Sequence, residues 1–184
     1  MRTLEPLACA AIALAALAAA LVSQHVYGMQ PCPWCVLQRL VFLVLAVVAL
    51  LQSALLQVGL RHAVTPVDLG SAGRALNTAG SALRTLLAIC GLAAALWQHF
   101  VAAESAACNL TWADRFLAAS RLDALAPDVF QPRASCLEAK AWLLGIPYEF
   151  WSAALFLGLG LAAAHSAWRA TRSAASAPTA RGQD

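Results

Sequence analysis

Long apolar runs separated by short polar stretches dominate the chain, and four of them, at about 7–27, 36–58, 82–103 and 148–168, stand out by length. A helix rises roughly 1.5 Å per residue and satisfies its own backbone hydrogen bonds, so about 20 apolar residues cross a hydrocarbon core of ~30 Å. Each run therefore predicts a membrane-spanning helix. Tyr27, Trp34, Tyr148, Trp151 and Trp168 lie near the ends of these runs, where amphipathic rings favour the headgroup layer. The expected fold is an all-α membrane protein, a four-helix transmembrane bundle over residues 1–170 followed by a disordered Ala/Ser/Arg-rich tail at 171–184. The connection at 59–81 is rich in Gly, Ser and Thr and reads as a plain linker. Arg84, just inside the third run, is expected to snorkel towards water.

A different period marks the stretch between the third and fourth runs. Thr111 and Asp114 fit a capping box, and Trp112, Phe116, Ala119, Leu122 and Ala126 recur at helical spacing. This predicts a short amphipathic helix lying on the membrane surface with its apolar side down. Pro127 and Pro132 should then break the chain and leave an extended or mobile segment before Cys136.

Composition agrees with the pattern. With 61% hydrophobic and 11% charged residues and a mean hydropathy of +0.70, the chain is too apolar for an ordinary soluble domain. The net charge of +3 belongs to loops beside a membrane and points to no nucleic-acid partner. Arg2, Arg61, Arg74, Arg84, Arg169, Arg172 and Arg181 would lie on one side, and Arg39, Arg115, Arg121, Arg133 and Lys140 on the other. The richer side is assigned to the cytoplasm, which puts both termini and 59–81 there and exports the loops at 28–35 and 104–147. The first run has some features of a cleaved signal peptide, but it continues to Tyr27 without a polar cleavage region and is read as a span.

Six cysteines fall into two classes. Cys9 and Cys90 lie inside apolar runs, where a thiol behaves as a small hydrophobe, and no role is assigned to them. Cys32, Cys35, Cys108 and Cys136 lie in the two exported loops. Disulfides persist in oxidising compartments, and adjacent spacing suggests the pairs Cys32–Cys35 and Cys108–Cys136. A zinc site built from all four, or two inert bridges, would use the same residues. In Gln30-Pro31-Cys32-Pro33-Trp34-Cys35 the second proline suits a first helical turn, so Cys35 should sit near a helix N-terminus, where free N–H groups favour a thiolate. Arg39 follows one turn later on the same face, where a guanidinium can stabilise a thiolate or a reduced oxygen, or else reach lipid phosphates. His99 should lie at a similar depth, as a donor to a bound carbonyl or as a plain interface residue.

Tyr27, the string Gln30-Pro31-Cys32-Pro33-Trp34-Cys35-Val36-Leu37-Gln38-Arg39, the later Cys108 and Cys136, Trp97-Gln98-His99 and the 136–147 segment resemble the DsbB family of bacterial disulfide bond formation proteins over nearly the whole chain. The resemblance implies a protein-dithiol oxidase of the bacterial inner membrane, with its redox cysteines facing the periplasm. A reduced DsbA-type thiol oxidase would attack Cys108, and Cys136 would pass the electrons to Cys32–Cys35. Cys35 would then face a quinone, ubiquinone or menaquinone, bound with the help of Arg39 and His99; no metal is implied. Gln38 departs from the family pattern, in which an acidic residue is expected, and this puts proton handling at that position in doubt. A rival reading, a conductor carrying electrons outwards, would need activated cysteines within the spans, and nothing near Cys9 or Cys90 supplies the activation.

Overall fold

Apolar runs without interior proline can only bury their backbone in lipid as helices, and the computed structural model of the chain, which describes residues 4–62, 66–103 and 111–175, is built accordingly. Among the described residues, four helices are long and apolar enough to cross a membrane. They are α1 (Leu4–His25), α2 (Pro33–His62), α3 (Pro66–Trp97) and, after the second long loop, α7 (Tyr148–Ala175). The fold is thus a four-helix membrane bundle in which α1 packs on α2, α2 on α3 and α3 on α7, with a slighter contact between α1 and α7.

Small residues let these helices approach closely, since lipid gives no hydrophobic drive between them. Cys9, Ala10 and Ala13 of α1 meet Phe42, Leu45, Ala46 and Ala49 of α2 and Phe156 and Leu159 of α7 in one buried cluster. The rings of Phe42 and Phe156 stack with centroids 4.0 Å apart. Gly91 of α3 allows this, because a Cβ there would overlap the Phe156 ring. Large apolar side chains such as Leu51, Leu86, Ile89 and Leu161 face outwards, as a lipid-facing surface requires.

Several expectations need revision, and the first residues of the 171–184 stretch, expected to be a disordered tail, continue α7 to Ala175. The 59–81 stretch is mostly helix, because α2 runs on to His62 and α3 begins at Pro66, a residue suited to a first turn. Arg84 does not snorkel. It is 1% exposed and forms a two-pronged bond with Glu5 of α1, both contacts at 2.7 Å. Its Nε donates to Gln52 of α2 at 3.0 Å. An acid in the first turn of α1 captures the cation before it can reach water.

The second loop forms α4 (Trp112–Ser120), α5 (Leu122–Leu125), α6 (Pro127–Phe130) and a hairpin of β1 (Trp142–Leu143) with β2 (Ile146–Pro147). Thr111 and Asp114 close the capping box at the start of α4. Arg121, at φ 55°, ends that helix, so the apolar period to Ala126 is carried by separate short turns. Pro127 starts α6 rather than breaking the chain. Leu117 and Phe130 bury against Val36 of α2, whereas Trp112 is 63% exposed. The turn of the hairpin, Leu144 and Gly145, has φ 55° and 78°, the left-handed pair that a two-residue connection demands.

Candidate active site at one end of the bundle

The chain leaves α1 through a turn with Gly28 at φ 69°, and α2 begins at Pro33, so Cys32 takes the N-cap position. Its sulfur acts as a serine oxygen would there, accepting from the Cys35 N–H at 3.3 Å. The first turn closes through Val36 N–H to the Cys32 carbonyl at 3.0 Å. This geometry brings the Cys32 and Cys35 sulfurs to 2.9 Å.

Cys136 reaches the same point from the second loop. Ser135 and Glu138 bond reciprocally, the Ser135 N–H donating to the Glu138 carboxylate at 2.9 Å and the Glu138 N–H to the Ser135 hydroxyl at 3.3 Å. The Ser135 bonds hold the Glu138 carboxyl below its usual range. This Ser-x-x-Glu turn presents Cys136, and Arg133 N–H bonds the Pro31 carbonyl at 2.9 Å, fastening the second loop to the first. Cys136 and Cys32 share a buried cluster with Ala102. Burial pushes the Cys32 thiol well up, and its hydrogen bonds to Cys136 and Cys35 add to the effect. Cys108 lies outside the described residues. Cys9 is buried in the bundle core and Cys90 is exposed on α3; neither is near this site.

A cavity of about 260 Å³ adjoins Cys35. Ala16, Ala19, Phe42 and Leu155 give it apolar walls, and Gln38, Arg39, Gln98 and Glu149 give it polar points. Arg39 is 6% exposed and donates to Gln24 Oε1 at 2.6 Å, to the Val129 carbonyl at 3.1 Å and to the Ala20 carbonyl at 3.2 Å. These acceptors are all neutral, and among the described residues no carboxylate lies within ion-pair distance of Arg39. Among the described residues its charge thus faces no carboxylate beside the cavity.

His99 is not among the residues that line the cavity. Its Nδ1 lies 2.6 Å from Glu149 Oε1, and Glu149 does line it. Helix α3 ends in a π-helical turn, Gln98–Ala102, a local widening that recurs at functional sites. At its start Gln98 donates to the Cys35 sulfur at 3.2 Å and accepts from Gln38 at 2.7 Å. Sequence reasoning did not single out Gln24, Gln98 or Glu149. The available signal was a polar side chain at the edge of an apolar run. Among the described residues, no group of three or more His, Cys, Asp and Glu side chains could hold a metal ion.

A four-span membrane bundle with three cysteines gathered at one end, two of them vicinal at a helix start, has the architecture expected of a membrane thiol–disulfide oxidoreductase. The family model for disulfide bond formation protein DsbB matches residues 3–166, and the chain belongs to that family. It is 28% identical over 163 residues to disulfide bond formation protein B of Herminiimonas arsenicoxydans, covering 86% of this chain and 92% of that one. To the protein of the same name from Polaromonas sp. it is 30% identical over 161 residues, 86% of this chain and 83% of the other. The Neisseria gonorrhoeae protein of that name is 28% identical over 155 residues, 82% and 86% of the two chains. No solved structure matches the chain.

Proposed function

We propose that the protein reoxidises a soluble periplasmic thiol oxidase of the DsbA type and delivers the electrons to a membrane quinone. The observation that carries the reading is the packing of Cys136 onto Cys32 next to a cavity lined by Cys35 and the buried Arg39. Cys32–Cys35 and Cys108–Cys136 are disulfides in the resting enzyme. The partner's thiolate attacks Cys108 and frees Cys136, which attacks its neighbour Cys32, and Cys35 departs as the thiolate. Cys32 is the poorer leaving group because burial disfavours its anion. In sum, a dithiol and a quinone become a disulfide and a quinol, with two electrons and two protons transferred.

The cavity fits such an oxidant. Its apolar walls suit a flat ring, and Arg39 suits an oxygen that gains negative charge. The quinone, ubiquinone or menaquinone, supplies the electron sink. Arg39 holds the reduced oxygen, and His99 acts on the site through its contact with Glu149, which lines the cavity. The protein sits in the bacterial inner membrane with both termini cytoplasmic and the cysteines periplasmic.

Purified protein given a reduced DsbA-type partner and quinone is expected to form quinol. Cys136→Ser should trap a partner complex through Cys108, visible on a non-reducing gel. Arg39→Ala should raise the apparent KM for quinone by about tenfold, the scale of one charge-assisted bond, while exchange with the partner proceeds. Four alkylatable thiols holding stoichiometric zinc, with no quinol formed, would overturn the reading.

A further inference from the structure

Gln38 of α2 and Gln98 at the end of α3 face each other beside Cys35, and their surroundings fix how each amide is turned. Both Gln38 and Gln98 are buried, at 4% and 6% exposure. A buried primary amide has an oxygen that only accepts and a nitrogen that only donates, so its orientation is decided by its neighbours. Gln38 Nε2 donates to Gln98 Oε1 at 2.7 Å. With its oxygen occupied, the Gln98 amide turns its nitrogen to the Cys35 sulfur, 3.2 Å away.

We infer that Gln98, oriented by Gln38, is a positioning residue that presents a fixed hydrogen-bond donor to the Cys35 sulfur and so sets its readiness to leave and to react as the anion. A donor aimed at the charged form favours that form, and no reorganisation is needed as charge develops. The π-helical turn beginning at Gln98 and the first turn of α2 together set the spacing. A glutamate at position 38 would do the reverse. Its carboxylate only accepts, so it would draw the Gln98 nitrogen to itself and leave the amide oxygen facing the sulfur. The role in turnover rests on the relay proposed above; the hydrogen bond to Cys35 does not.

The test uses the full-length, fully reduced, quinone-free protein in detergent and follows iodoacetamide labelling of each cysteine by mass spectrometry at neutral pH. Gln98→Leu is expected to slow labelling of Cys35 by about tenfold, the scale of one charge-assisted bond, with Cys136 labelled at its usual rate. Gln38→Glu, in which Gln98 is intact, is expected to slow Cys35 in the same sense. Wild-type rates at Cys35 in both variants would overturn the inference. If Gln98→Leu does not fold, Gln38→Glu decides alone, with its thermal midpoint as the check on structure. Since labelling needs neither partner nor quinone, slowed labelling in a protein that forms no quinol would support the inference and overturn the relay.

Discussion

Three sulfurs meet at this site with different surroundings, and the difference would give the proposed exchange a direction. Cys32 is fully buried at an N-cap, whereas Cys35 one turn on has donors from Gln98 and a cation nearby. For Cys32 the folded protein favours the thiol, so the reduced protein gains stability that is complete below the ordinary thiol range and is lost as pH rises through it. The thermal midpoint of the reduced protein in detergent should therefore fall as pH climbs above about 8.5. Cys32→Ala should flatten that fall; an equal alkaline loss in the variant would show that Cys32 is not its source. At this scale the string from Cys32 to Arg39 was legible, because residues three and four apart in one helix are neighbours whatever the tertiary fold. Gln24, Gln98 and Glu149 were not legible, because each comes from another helix and only packing brings it to the cavity.

The elements show how local rules were kept or overridden. The capping box at Thr111 formed where the sequence put it, since both of its partners lie within one turn. The apolar period beyond it did not yield a single helix. Arg121 takes the left-handed conformation, and Leu117 and Phe130 both find burial against Val36 only if the chain bends between them. Pro127 begins α6 for a similar reason, as its missing N–H is harmless in a first turn. Between spans, the contact of α3 with α7 depends on Gly91, whose missing side chain admits the Phe156 ring. Gly91→Leu should destabilise the bundle by about 1–3 kcal/mol through overpacking. The check is unfolding in a denaturing detergent series, where Gly91→Ala should fall between the variant and wild type. Wild-type stability for Gly91→Leu would mean that the ring is not held there.

Among the described residues, two polar clusters lie apart in an apolar bundle. One gathers Cys32, Cys35 and Cys136 with Arg39 and Gln98; the other gathers Glu5, Gln52, Ser81 and Arg84. The second cluster ties α1, α2 and α3 without touching the candidate active site, so it should govern stability rather than chemistry. Removing one partner of a buried pair leaves an unmatched charge. Glu5 retains some contact with water, at 29% side-chain exposure, so Glu5→Leu should cost about 2 kcal/mol, below the full loss for a buried pair. Thermal unfolding would show this, with quinol formation per folded molecule unchanged; a loss of turnover without loss of stability would contradict the assignment. The sequence by itself determined the spans, the vicinal thiols at a helix start and the arginine beneath them, because length, hydropathy and helical spacing are local quantities. Only the tertiary structure decided that Arg84 is buried against Glu5, that Cys136 rests on Cys32, and that an amide from α3 reaches Cys35. Those contacts join residues far apart in the chain, and their formation depends on how helix surfaces fit, which no local pattern records.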